Sequence, residues 1–173
     1  GLVFRGVLFR VGRVGRHANI IHVREKLEPA PGTPRSAVGE SLTIVILGGG
    51  AAGNSAAETL RREGFPGRIV MLSADASAPY DRPNLSKDYL AGTAPEDWLP
   101  LRPPEFYRTH GIELHLGARA VPIHRTERHV ELADGSRHAY DMLLIATGPA
   151  PVRPAVRGGD PARAPYLRSL SNT

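Results

Sequence analysis

The sequence predicts an α/β domain: a parallel sheet that opens with a strand–helix–strand unit and takes an antiparallel hairpin or meander as an insertion. Three observations predict it. An uninterrupted apolar run at residues 43–47 passes through three glycines into a stretch with helical spacing. A second short apolar run follows at 69–72, closing a unit of about 30 residues. Further on, Asp134-Gly135 stands between two alternating segments, as expected of a tight hairpin.

Taken in order, residues 1–41 read as a basic N-terminal arm followed by a Pro-rich linker, a remnant of a preceding domain. Arg5, Arg10, Arg13 and Arg16 lie among valines and glycines, with no acid before Glu25. That composition also suits an organelle transit peptide, but serine is almost absent and no initiator Met stands first. "IIHVREKL" reads as the last strand of such a domain, and "EPAPGTPRSAVGESL" as linker, because its prolines cannot join a packed element.

Residues 42–150 form the main domain. The run "TIVIL" is β-branched and apolar on both faces, as a parallel strand buried on both sides must be. Gly53, Ala56, Ala57 and Leu60 then recur at helical spacing, and Gly64 is placed to stop that helix. Asn84 is expected to cap a short helix ending near Gly92. Pro103 and Pro104 open another, stopped by Gly111, and residues 112–116 form a strand. "MLLIATG" is a final short buried strand, and residues 151–173, rich in proline, read as a connector.

Composition excludes several classes of chemistry. The net charge of +5 divides into +4 over residues 1–40 and +1 over the rest, so the main body has no basic stripe for nucleic acid. The sequence holds no cysteine, hence no disulfide, thiolate metal site or dithiol redox centre. No apolar run approaches the ~20 residues that cross a bilayer, and a cytoplasmic location is expected. The seven histidines are scattered without a recognised ligand spacing, so no metal is expected. No Ser-His-Asp set has a nucleophile elbow.

The glycines carry the chemistry. Gly48, Gly50 and Gly53 make G-x-G-x-x-G between strand and helix. The first permits the tight turn, the second lets backbone approach a pyrophosphate, and the third lets helix and strand pack closely. Free amides at the helix start then attract phosphate. The acid expected about 20 residues later for a ribose is absent: Ser73 stands there, and Asp75 is the nearest carboxylate. Either the Ser73 hydroxyl makes a weaker contact or Asp75 reaches back.

Together "ILGGGAAG", "PYDRPNLSK", "GIELHLG", "VELADG", "YDMLLIATG" and "YLRSL" resemble the FAD domain of flavin-dependent pyridine-nucleotide oxidoreductases. The similarity is to their ferredoxin-reductase-like and apoptosis-inducing-factor-like branch, which includes Rieske-fused members, and it covers about residues 42–170. It implies a Rossmann-like FAD-binding domain. It also implies that Gly48, Gly50, Ala51 and Ala52 lie on the FAD pyrophosphate, Arg82 faces phosphate and ribose, and Lys87 faces the flavin. Val121 would hold adenine through its backbone, and Ala146, Thr147 and Gly148 would pass close by. A planar guanidinium suits phosphate oxygens, and an ammonium beside the ring would stabilise reduced flavin, which makes Lys87 the catalytic candidate. Asp81 and Asp88 are expected to orient the loop; Tyr80, Trp98, Phe106 and Tyr107 are expected to pack beneath it.

In the resembled family an NAD(P)H-binding domain follows "LRSL". The chain is therefore expected to be the FAD-binding part of an NAD(P)H-dependent flavoprotein oxidoreductase, incomplete alone. Such an enzyme passes electrons from nicotinamide through flavin to a one-electron iron–sulfur carrier such as a ferredoxin or Rieske centre. NAD(P)H would serve as donor only with the missing domain supplied. Two alternatives stand beside this: a catalytically inactive truncated FAD-binding or interaction module, and a small NAD-binding dehydrogenase.

Overall fold

A computed structural model describes residues 3–4, 7–8, 42–152 and 167–172. The strand and linker expected within residues 20–41 and most of the connector lie outside these. Near the N-terminus, β1 (Val3–Phe4) and β2 (Val7–Leu8) pair antiparallel, Val3 opposite Leu8.

The expected strand–helix–strand unit is β3 (Thr43–Leu47), α1 (Ala51–Arg62) and β4 (Arg68–Leu72). The chain continues through α2 (Pro104–Thr109) into β5 (Ile112–His115), then β6 (Ala120–His124), β7 (His129–Leu132), β8 (Arg137–Ala139) and β9 (Met142–Ile145). One parallel sheet runs β5-β4-β3-β9, and a second, antiparallel sheet runs β6-β7-β8.

Alternation along the central strand explains its continuous apolar run. Ile44 and Ile46 pack with Ala57 and Leu60 of α1, Tyr107 of α2, and Ile69 and Met71 of β4. Val45 and Leu47 point the other way, onto Val70, Leu72, Leu143 and the meander residues Val130 and Leu132. The parallel sheet is thus the middle layer of three, covered on both faces along its central strand; exposed polar residues appear towards its edge, where Arg68 pairs with Glu113 of β5. Burial of each large apolar side chain here stabilises the fold by about 1.5–3 kcal/mol.

The stop signals act as expected. Gly64 takes φ +76, its amide bonds the Arg61 carbonyl, and the Phe65 amide reaches back to Leu60. Arg61 clasps the other end of the same layer, donating to the carbonyls of Phe65, Gly67, His110 and Gly111.

Three local expectations need correction. Asn84 does not cap a helix: it lies inside a 3-10 turn at Arg82–Ser86 that begins after Asp81, because Pro83 favours the first helical positions. Trp98 is 71% exposed and packs under no loop, whereas Tyr80 and Tyr107 are buried. The stripe of α1 also includes Asn54, 5% exposed, whose Oδ1 accepts from the Tyr107 hydroxyl at 2.7 Å. The antiparallel sheet, for its part, has β6 as an additional edge strand. It carries Pro122 at a register shift between Ala120 and Ile123, where no ladder donor is needed.

Candidate functional site

A cleft of about 460 Å³ opens at the carboxyl ends of β3, β4 and β9. Ligands bind open α/β sheets at this edge, because loops leave the strands there while helix N-termini point toward it.

The β3–α1 turn forms its floor. Gly48 adopts φ +113, and a Cβ there would strike the Ala146 carbonyl. Gly53 lies behind the cleft, where a Cβ would strike the Gly48 carbonyl, so its service is to helix packing. Gly50 is different: a Cβ on it would meet nothing within 4 Å, so its open side faces the cleft. Gly50 is the N-cap of α1 and offers no side-chain cap, and the first turn holds no acid. The first intrahelical bond is donated by Asn54 to the Gly50 carbonyl at 2.9 Å. The preceding amides, with Ala51 and Ala52 on the cleft wall, form a positive helix end with no anionic group of its own.

The end of β4 forms a second wall. Ser73 is 2% exposed, and its hydroxyl accepts from the Asp75 amide at 3.2 Å. Gly49 is pressed against it: a Cβ there would stand 2.5 Å from the hydroxyl and 2.7 Å from the Ser73 Cβ. Gly49, the variable residue of the motif, is therefore held to glycine by packing that the spacing rule does not contain.

Asp75 lines the cleft and is the hub of a polar network. Its Oδ2 accepts from the Tyr80 hydroxyl at 2.7 Å and from Arg82 at 2.9 Å, and Oδ1 accepts from the Ser77 amide at 3.3 Å. Burial pushes the Asp75 carboxyl up, but the hydrogen bonds from Tyr80, Ser77 and Arg82 outweigh it and hold it below the ordinary range. Burial, then the bond to Asp75, raises the Tyr80 phenol. Arg82 also donates to the Arg168 carbonyl at 2.8 Å, and the Leu170 amide donates to the Tyr80 hydroxyl at 3.0 Å. Segment 167–172 is thereby fastened beside the cleft, with Leu170 packed on Tyr80, Leu85 and Leu99.

The β9 end supplies Ala146, Thr147 and Gly148, and the Arg168 guanidinium donates to the Pro149 carbonyl at 2.6 Å. Among the described residues, the cleft thus has Arg82, Arg119 and Arg168 against one carboxylate, Asp75. With the helix end, this is a field suited to a multiply charged anion.

Of the expected site residues, Gly48, Gly50, Ala51, Ala52, Ser73, Arg82, Ala146, Thr147 and Gly148 come together on the cleft, with Gly53 packed behind it. Lys87 and Val121 are exposed and do not line it. Gly49, Arg119 and Arg168 were not singled out by sequence reasoning. For Arg168 the available signal was its place in "YLRSL".

The parallel sheet, the glycine turn and the antiparallel meander define a Rossmann-like FAD-binding fold. The chain belongs to the pyridine nucleotide-disulphide oxidoreductase family, whose profile matches residues 42–173. It is 39% identical to human apoptosis-inducing factor 3 over 146 residues, covering 84% of this chain and 24% of that protein. It is 37% identical to the rubredoxin-NAD(+) reductase of Pseudomonas putida over 131 residues, 76% of this chain and 34% of the other. Among solved structures, the covalent putidaredoxin reductase–putidaredoxin complex superposes with a TM-score of 0.72 at 37% identity. That match covers 77% of this chain and 33% of that one. The chain spans about a quarter to a third of the length of these relatives.

Proposed function

We propose that this chain is the FAD-binding portion of an NAD(P)H-dependent flavoprotein oxidoreductase that passes electrons to an iron–sulfur carrier. The observation that carries the reading is the uncapped start of α1, framed by Gly48 and Gly50 and opening on an arginine-lined cleft. The cradle fits a pyrophosphate: only at Gly50 is the Cβ direction free, on the side where a ligand's backbone would pass.

Gly48, Gly50, Ala51 and Ala52 would hold the pyrophosphate by their amides, and Arg82 and Arg168 would balance its charge. Asp75 is the better ribose partner, because the Ser73 hydroxyl is buried on the Asp75 amide while Oδ1 of Asp75 keeps acceptor capacity. Ala146, Thr147 and Gly148 would run alongside the cofactor. Val121 and Lys87 are proposed for adenine and flavin contacts although neither lines the cleft. The flavin, when bound, supplies the hydride-accepting and one-electron chemistry. The protein orients it and sets the local charge.

The electron-carrier assignment follows from the relatives' names, among them the rubredoxin-NAD(+) reductase and the ferredoxin–NAD(+) reductase component of the biphenyl dioxygenase system of Paraburkholderia xenovorans. The sequence has no cysteine, so no disulfide pair acts within it. NAD(P)H would serve as donor only where an NAD(P)H-binding domain of the kind found in the family is supplied. Among the described residues no helix is long and apolar enough to cross a membrane.

The test is a titration of the purified chain with FAD, followed by flavin fluorescence, with NADH as competitor. Saturable FAD binding that NADH does not displace is expected. Preferential NADH binding would overturn the reading in favour of a small dehydrogenase. A folded chain that binds neither would show that the cradle alone is insufficient.

A further inference from the structure

The antiparallel meander carries a cluster outside the cleft. Val130 and Leu132 of β7 point into the core, so the alternate residues His129 and Glu131 share the opposite face. His124 of β6 stands directly opposite His129 in the ladder. The two imidazoles stack, with centroids 4.2 Å apart and planes 14° from parallel. His124 Nε2 lies 3.7 Å from Glu131 Oε2. One ligating atom from each of the three side chains falls within 4.8 Å of the other two.

Two features distinguish this cluster from an ordinary polar face. Nε2 of His124 and Nε2 of His129 are both buried, and neither has a hydrogen-bond partner. Buried polar atoms are ordinarily paired, so two unpaired acceptor-capable nitrogens beside a carboxylate form a donor set without an acceptor. The carboxylate is already oriented: Arg137 of β8 donates to Glu131 Oε2 at 3.1 Å.

We propose that His124, His129 and Glu131 form a binding site for a divalent transition-metal ion, with Zn²⁺ the ion best matched to the donors. Two imidazoles and one carboxylate are a three-ligand zinc set that leaves the fourth position open. Metal–ligand distances of about 2.0–2.2 Å place tetrahedral ligand atoms about 3.4 Å apart. The 3.7 Å between His124 Nε2 and Glu131 Oε2 is already near that spacing, and the two imidazoles must tilt out of their near-parallel stack for both Nε2 atoms to face one ion. An ion there would tie the closed end of the β6–β7 hairpin, the edge that also carries the cleft residue Ala120. The sequence signal is H-x4-H-x-E spanning the turn at 125–128, a spacing that brings its members onto one face only once the hairpin forms.

The experiment is a Zn²⁺ titration of the chelator-stripped, full 173-residue chain against a chromophoric competitor, alongside the His124→Gln, His129→Gln and His115→Gln/His138→Gln variants. One Zn²⁺ per chain is expected. Affinity should fall more than about tenfold in each of the first two variants and stay unchanged in the double variant. Equal affinity in all of them, or no saturable binding, would overturn the site. Should a variant fail to fold, imidazole ¹⁵N shifts in the unmodified chain decide: His124 and His129 resonances must move together on Zn²⁺ addition, and unmoved resonances overturn the proposal.

Discussion

The guanidinium of Arg82 binds the carboxylate of Asp75 at 2.9 Å, so two of the ionisable residues that sequence reasoning placed near the cofactor hold each other. Both side chains are largely buried, and each makes a further bond: Asp75 to the Tyr80 hydroxyl, Arg82 to the carbonyl of Arg168. The pair presets one cleft wall and anchors segment 167–172 against it.

Asp75→Asn should therefore destabilise the chain by roughly 1–3 kcal/mol at neutral pH, since it removes the charge from three hydrogen bonds. The folded carboxyl titrates below its ordinary 3.8, so the charged form's contribution is fully present above that value. It is lost as the pH falls through the folded value. Denaturant melts of wild type and variant should differ at pH 7 and converge under acid; a difference independent of pH would contradict the assignment.

Tyr80→Phe keeps the apolar contact with Leu85 and Leu99 but removes the group that accepts from the Leu170 amide. Hydrogen exchange at Leu170 should accelerate by about tenfold, the equivalent of roughly 1–1.5 kcal/mol for one hydrogen bond. Exchange in β3 and β4 should change far less.

The glycines of the turn should separate by role. Gly50→Val should leave the melting temperature nearly unchanged, because its backbone is ordinary (φ −84) and its Cβ meets nothing, while abolishing FAD binding. Gly48→Ala should cost roughly 2–4 kcal/mol of stability, from positive φ and collision with the Ala146 carbonyl. Paired melts and FAD titrations read both effects.

Gly49→Ala should destabilise through Ser73 alone, because it is Ser73 whose Cβ and hydroxyl occupy the space. Adding Ser73→Gly should recover part of the loss, with a coupling energy of about 0.5–3 kcal/mol in a double-mutant cycle. Strict additivity would mean that the turn relaxes elsewhere.

Burial pushes the Tyr107 phenol up to about 12, against the opposing pull of the Arg102 charge and with a smaller push from Glu58, while an unfolded tyrosine titrates near 10.0. The neutral form is thus favoured in the folded state, and stability should decline as pH rises through that window. The decline should total roughly 2–3 kcal/mol. Tyr107→Phe should flatten that decline at the expense of the bond to Asn54; an unchanged alkaline limb would locate the titration in other groups.

What the sequence discloses well here is governed by neighbours along the chain. The limits of β3, the glycine turn after it, Gly64 as a helix stop and the Asp134-Gly135 hairpin all follow from φ/ψ preference and periodicity over a few residues. β6 escaped because Pro122 weakens a strand signal, and only the sheet shows that the proline sits at a bulge on an edge. The burial of Asn54 in α1 was not legible in the sequence, because it depends on α2 bringing Tyr107 over it, 53 residues away in sequence.

The sequence by itself determined the parallel sheet and the glycine turn after its first long strand, because steric allowance at a tight turn and burial on alternate faces are local constraints. Tertiary structure alone decided that Gly49 answers to Ser73, that Arg82 is committed to Asp75 and Arg168, and that two stacked histidines share a face with Glu131. Those outcomes depend on which strand ends meet across the sheet and how the meander folds back on itself. Packing of the assembled layers sets that geometry, which no short window of residues encodes.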